Sequence, residues 1–268
     1  MSQQDPTSDF PKSSVQTVAT KSSKKRIDPA ALLLLLKLPN ATQTVLEECL
    51  YLAQLVSPTE AIYRFILTYV ANGLVHGYSM KVVNIFRIVR DQEFDHDEKM
   101  KKQLRLLLWH GTKEGSVAGI LQTGFKIPSA KNQMFGTGIY FADRSSKSAN
   151  YCLPTLNPTR IKGDTAYMFL CDVAVGKWYN SKNPKPEVTE APVVQTKSGT
   201  TKPCASVKCT GEYIPDESEN VNFNGCLIPL GKTIKNDKFE EYSVKFNEFI
   251  VYDSNRVRTK YLVKVEFT

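Results

Sequence analysis

Gly136-Thr137-Gly138-Ile139-Tyr140-Phe141-Ala142-Asp143 is the run whose reading decides the fold. Its first two glycines suggest a dinucleotide fingerprint, but Phe141 stands where the third glycine belongs and no phosphate-facing helix follows directly. A Rossmann reading therefore fails on context. What remains is a short apolar strand with one polar residue, Tyr140, set into it. Two distant segments share that design: Leu107-Leu108-Trp109-His110-Gly111-Thr112 and Asn247-Glu248-Phe249-Ile250-Val251-Tyr252-Asp253. Burying a polar group without a partner costs roughly 1–3 kcal/mol. Three such residues in three strands therefore point to one shared polar site assembled by the fold.

The 268 residues, 41% of them hydrophobic, are enough for a substantial core. The longest apolar run, Ala30 to Leu36, is far short of the ~20 residues a membrane helix needs. The N-terminus is polar and has no signal-peptide core. The six cysteines form no dense framework, so reduced thiols in the nucleus or cytosol are expected. Cys204 and Cys209 are close in sequence, but no further Cys or His pair with ligand spacing accompanies them, and no metal is expected. The chain has no GxxxxGK[ST] loop, which argues against a nucleoside triphosphatase.

The net charge of +8 is partly carried by residues 1–27, where Lys12, Lys21, Lys24, Lys25 and Arg26 face only Asp5 and Asp9. This Ser/Gln/Thr-rich stretch reads as a disordered basic tail. Its Lys21–Arg26 cluster is either a solubility tail or a nuclear-targeting and polyanion-binding segment. Residues 28–57 read as a short helical segment, with a capping box at Thr44–Glu47 and Val45, Leu46, Cys49, Leu50 and Ala53 at helical spacing. A second helix starts at Pro58–Glu60, with Ile62, Phe65, Ile66, Tyr69 and Val70 as its apolar stripe. Strands are expected at 81–90, 104–109, 138–142, 165–175, 248–252 and 258–267, with short helices at 114–121 and 145–152. The Pro-, Lys- and Thr-rich stretch from Tyr179 to Gly225 reads as long surface loops. Many strands without regular helical crossovers argue for an α+β fold around antiparallel sheets.

Taken singly, each candidate has a plain alternative. His110 could cap a strand end, Tyr140 could be a half-buried strand aromatic, and Glu248 could serve a structural salt bridge. The flanking residues weigh against those readings. With Ala118–Leu121, Met134-Phe135, Ser146-Lys-Ser-Ala-Asn-Tyr-Cys152, Pro229–Gly231 and Tyr261–Lys264, the three segments resemble the catalytic domain of poly(ADP-ribose) polymerases. The resemblance runs from residue 58 to 268 and is nearest to the polymerising, DNA-damage-related members. It implies an ADP-ribosyltransferase-like α+β fold with two mainly antiparallel sheets and short flanking helices.

It also implies roles. NAD, as substrate, would be held at its nicotinamide amide by the Gly111 backbone and the Ser148 hydroxyl. Tyr151 would stack on the cationic ring, and Tyr140 would form part of the same wall. His110, with Thr112 beside it, would hold the adenosine ribose. Glu248 would stabilise the oxocarbenium-like ribosyl group and polarise the acceptor hydroxyl. Lys147 would contact substrate, the alternative being an exposed helix lysine. The implied function is transfer and polymerisation of ADP-ribose onto protein acceptors, the protein itself included, with release of nicotinamide. Mono-ADP-ribosyl transfer and a silent ADP-ribose- or nucleic-acid-binding module are the competing readings. A nuclear location is expected, with DNA or poly(ADP-ribose) contacting the basic tail and no membrane partner. Gln133 departs from the family, which has a tyrosine there, and residues 28–57 are too few for the family's full regulatory helical subdomain.

Overall fold

The structure is a computed structural model that describes residues 53–88, 98–129, 133–153, 162–195, 199–237 and 244–268. The expected basic tail and the helical stripe at Val45, Leu46, Cys49 and Leu50 lie outside these residues. Ala53, read as the end of that stripe, stands instead in strand β1 (Ala53–Leu55), paired antiparallel with β2 (Met80–Ile88). Helical spacing in so short an apolar segment does not exclude a strand, and here pairing along β2 decides it. Between β1 and β2 lies helix α1 (Ala61–Asn72), which buries Ile62, Ile66, Tyr69 and Val70 of the expected stripe. A four-residue helix, α2 (Glu98–Lys101), precedes β3 (Leu106–Gly111), which leads into α3 (Glu114–Thr123).

The next elements are β4 (Ile139–Phe141), α4 (Ser145–Ala149) and β5 (Thr165–Val173). The stretch expected to be loops instead contributes β6 (Trp178–Asn180), β7 (Val193–Gln195), β8 (Thr201–Pro203), β9 (Ser206–Cys209), β10 (Tyr213–Pro215) and β11 (Val221–Phe223). Most of these strands have three residues, too short to show an alternating pattern among prolines and lysines. β12 (Cys226–Ile228), β13 (Thr233–Lys235), β14 (Glu248–Val251) and β15 (Val257–Phe267) complete the chain.

Two larger sheets carry the α+β fold. One runs β1-β2-β15-β5-β3-β12-β11 and the other β4-β14-β9-β6, antiparallel except at β12–β3 and β6–β9. β5 is buried at every position after Thr165, so it reads as an unbroken apolar run. Tyr167, Phe169, Cys171 and Val173 meet Phe141, Phe249 and Val251 between the sheets. The alternate residues Ala166, Met168 and Leu170 pack with Ile62, Ile66 and Tyr69 of α1. β3 alternates in the same way, so His110 shares a parity with Leu108 on the inter-sheet side and Gly111 with Trp109 on the helix side. Trp109 and Ala142 bridge the two sheets by reciprocal backbone hydrogen bonds of 2.8 and 2.9 Å. The end of β3 thereby lies against the end of β4.

Candidate active site

Helix α4 is short, yet three of its serines are buried. The Ser145 hydroxyl donates to the Val70 carbonyl and that of Ser146 to Gly73, each at 2.8 Å, while Ser146 also accepts from Val75 N–H at 2.9 Å. These bonds satisfy the last carbonyls of α1 and fix α4 beside it. Just before the helix, Arg144 is fully buried. It donates to the carbonyls of Asn72 (3.0 Å), Pro229 (2.8 Å) and Gly231 (2.9 Å) and to the Thr233 hydroxyl (2.9 Å). Of the remaining α4 residues, Lys147 and Ser148 line a cleft and Ala149 packs into the core.

Gly111 is where α4 meets β3. A Cβ built there would lie 1.7 Å from the Ser148 carbonyl oxygen, so only glycine permits the contact. Across the cleft, Tyr140 stands opposite Ile250 and Glu248 opposite Cys209, which puts both side chains on one face of the second sheet. The Tyr140 hydroxyl donates to Gly136 O (2.8 Å) and accepts from Phe135 N–H (2.9 Å), holding the loop that carries Gln133 and Met134.

Lys147 is not the exposed helix lysine of the alternative reading. Its ammonium lies 2.6 Å from Glu248 Oε1 and donates to the carbonyls of Phe246 (3.1 Å) and Asn247 (3.5 Å), with both charged side chains under 15% exposed: 13% for Lys147 and 14% for Glu248. The resemblance offered no partner for this lysine, because the i to i+101 contact exists only after folding.

A cleft of about 940 Å³ is lined by all eight residues singled out in the sequence: His110, Gly111, Thr112, Tyr140, Lys147, Ser148, Tyr151 and Glu248. Tyr151 is 62% exposed, an aromatic face turned to the open side. Helix α3 lines one side of the cleft through Ser116, Gly119, Ile120 and Thr123; Gly119 and Ile120 lie in the Ala118–Leu121 stretch of the resemblance, but none of the four was a site candidate. Their helical spacing was a faint signal that any surface helix shares. Gln133 also lines the cleft, and its Oε1 is buried without a protein partner. Among the described residues no cluster of His, Cys, Asp and Glu is suited to a metal. The five described cysteines are free and buried, and no described helix is long and apolar enough to cross a membrane.

His110 Nδ1 lies 2.8 Å from the Tyr140 carbonyl, which can only accept, so Nδ1 carries the proton. Phe125 packs edge-on against the ring at 4.8 Å. Burial lowers its pKa to about 4, opposed in part by the bond to Tyr140. The neutral ring thus leaves Nε2 as an acceptor at neutral pH. Because the folded pKa lies below the unfolded value near 6.5, this histidine contributes stability that is full above about pH 6.5. That contribution is lost as pH falls toward 4. Urea titrations of wild type and His110→Gln are therefore expected to show a difference in unfolding free energy that narrows between pH 7 and 4.5. A difference independent of pH would show that the histidine is not buried neutral.

A two-sheet α+β scaffold thus brings His110, Tyr140 and Glu248 to line one cleft beside Gly111. A family model described as the Poly(ADP-ribose) polymerase catalytic domain matches residues 62–267, and the chain belongs to that family. It is 38% identical to Poly [ADP-ribose] polymerase 1 of Danio rerio over 212 residues, covering 76% of this chain and 19% of the relative. It is 37% identical to Poly [ADP-ribose] polymerase 2 of Homo sapiens over 200 residues, 71% of this chain and 31% of the relative. Poly [ADP-ribose] polymerase 2-A of Oryza sativa subsp. japonica is 36% identical over 214 residues, 76% and 30% of the two chains. The chain thus spans under a third of the length of each of these relatives.

Proposed function

We propose that this chain transfers ADP-ribose from NAD to protein acceptors, releases nicotinamide and extends the product into polymer. The observation that carries the reading is the Lys147–Glu248 pair, which joins the α4 wall bearing Ser148 to the strand of the carboxylate in a cleft that Gly111 and Tyr151 also line. The Gly111 backbone and Ser148 hydroxyl take the nicotinamide amide, Tyr151 stacks on the ring, and His110 Nε2 accepts from the adenosine ribose with Thr112 alongside. The bond from the ribosyl carbon to nicotinamide breaks with its electron pair leaving on the nitrogen. The ribosyl carbon gains positive character, which the Glu248 carboxylate stabilises. An acceptor oxygen then bonds to that carbon and passes its proton to a base, the role given to Glu248. Lys147 fixes the carboxylate in the orientation both tasks need, so no reorganisation accompanies the reaction.

The test is gel analysis of product after incubation with labelled NAD. A smear of labelled polymer is expected. One discrete band would replace polymerisation by single-unit transfer, and no label would leave a silent binding module. The basic tail supports a nuclear location and salt-sensitive contact with DNA or the polymer.

Gln133 also makes a prediction. An amide in place of a ring removes stacking on one side of the nicotinamide. Gln133→Tyr is expected to tighten benzamide-type inhibitors by about 0.5–1.5 kcal/mol. Unchanged or weaker inhibition would show that residue 133 does not face the ring.

A further inference from the structure

Asn247 lies directly before Glu248, is 2% exposed and does not line the cleft. Its side-chain amide is used on both ends. Nδ2 donates to Asp143 Oδ2 at 2.6 Å and Oδ1 accepts from Gly211 N–H at 2.9 Å. Asp143 is itself 1% exposed, and its other oxygen has no hydrogen-bond partner, lying 3.6 Å from Arg144 Nε. A buried carboxylate with so few donors leans heavily on the one amide that reaches it.

The three groups joined by Asn247 belong to different parts of the site. Asp143 leads into α4, which carries Lys147 and Ser148. Asn247 immediately precedes β14, which carries Glu248. Gly211 follows β9, the other neighbour of β14. The wall that holds NAD is therefore tied to the strand that holds the carboxylate at two points only a residue apart: Lys147 on Glu248, and Asp143 on Asn247. Gly211 closes the third side, since a Cβ there would come within 2.5 Å of the Phe246 backbone.

We infer that Asn247 is a positioning residue for the transfer reaction, setting the distance between Glu248 and the NAD-holding wall through its amide bridge from Asp143 to Gly211. This rests on the function proposed above. The bridge acts on the placement of Glu248, not on the cleft itself, so its loss lowers turnover and leaves substrate affinity in place. A misplacement near 1 Å at a reacting group is enough to cost on the order of 10²-fold in rate.

The test uses the whole chain and measures kcat and KM for NAD well below the melting temperature of each variant. Asn247→Asp sets a second carboxylate against Asp143 and is expected to lower kcat on the order of 10²-fold with KM nearly unchanged. The double variant Asn247→Asp with Asp143→Asn exchanges the two groups, restores the donor–acceptor pair and is expected to recover most of the lost rate. Asn247→Ser shortens the side chain without adding charge, and is the arm to read if Asn247→Asp fails to fold. It is expected to show the same loss confined to kcat. Wild-type kcat in either folded single variant, a KM that rises in step with the loss, or no recovery in the exchange would overturn the inference. Glu248→Gln run alongside separates the two claims. If that variant is fully active the proposed function fails, whereas an inactive Glu248→Gln beside a fully active Asn247→Asp removes only the positioning role.

Discussion

Glu248→Gln is expected to lower ADP-ribosyl transfer by about two to three orders of magnitude and abolish polymer, while the fold stays nearly intact. Glutamine keeps an oxygen that can accept from the Lys147 ammonium now 2.6 Å away, so the local packing survives. What disappears is the negative charge, to which the proposed function assigns both the stabilisation of the ribosyl centre and the uptake of the acceptor hydroxyl's proton. Slow hydrolysis of NAD is expected to survive, since water is small, abundant and needs no positioned acceptor. Initial rates of labelled polymer formation, compared with circular dichroism of the same preparations, read both halves. Wild-type polymer yield from a folded Glu248→Gln would falsify the catalytic assignment.

Arg144→Met is expected to cost stability on a comparable scale, about 3–5 kcal/mol. The side chain is fully buried, and its guanidinium satisfies the carbonyls of Asn72, Pro229 and Gly231 as well as the Thr233 hydroxyl. Methionine fills much of the same space but donates nothing. It would leave the Pro229 and Gly231 carbonyls without this donor, the Asn72 carbonyl with the Thr233 hydroxyl in place of two donors, and the neighbouring Asp143 carboxylate without its nearest cation. Urea denaturation gives the measurement: a midpoint close to wild type would show that the acceptors find other donors when the arginine is gone.

The strands that carry the site were legible because each is a short apolar run interrupted by one polar residue, and burial gives such interruptions meaning. His110, Tyr140 and Glu248 line one cleft because β3 and β4 are bridged at Trp109–Ala142 and β4 pairs with β14. The second sheet was only half legible. Its strands β6 and β9 are three and four residues long within a Pro- and Lys-rich stretch, and their identity comes from partners in the fold, not from any local alternation. Arg144, Asp143 and Asn247 were invisible as supports for the same reason. Each looks like an ordinary polar residue until the chain brings its partner from 36 to 104 positions away in the sequence, and no periodicity encodes those distances. Lys147 was visible as a candidate but not as one half of an ion pair.

The contact between Gly111 and the Ser148 carbonyl has a consequence for how the cleft can change over time. Because a methyl group at 111 would sit 1.7 Å from a main-chain oxygen, the cleft is bordered at this point by peptide groups rather than by a side chain. A substitution can alter Gln133, Met134 or Tyr151, which border the same space, and so reshape its walls. It cannot edit an amide N–H. A small molecule that takes hold of the main chain at 111 thus grips a feature that side-chain exchange does not remove, whereas one that relies on the surrounding side chains grips features a single substitution can change.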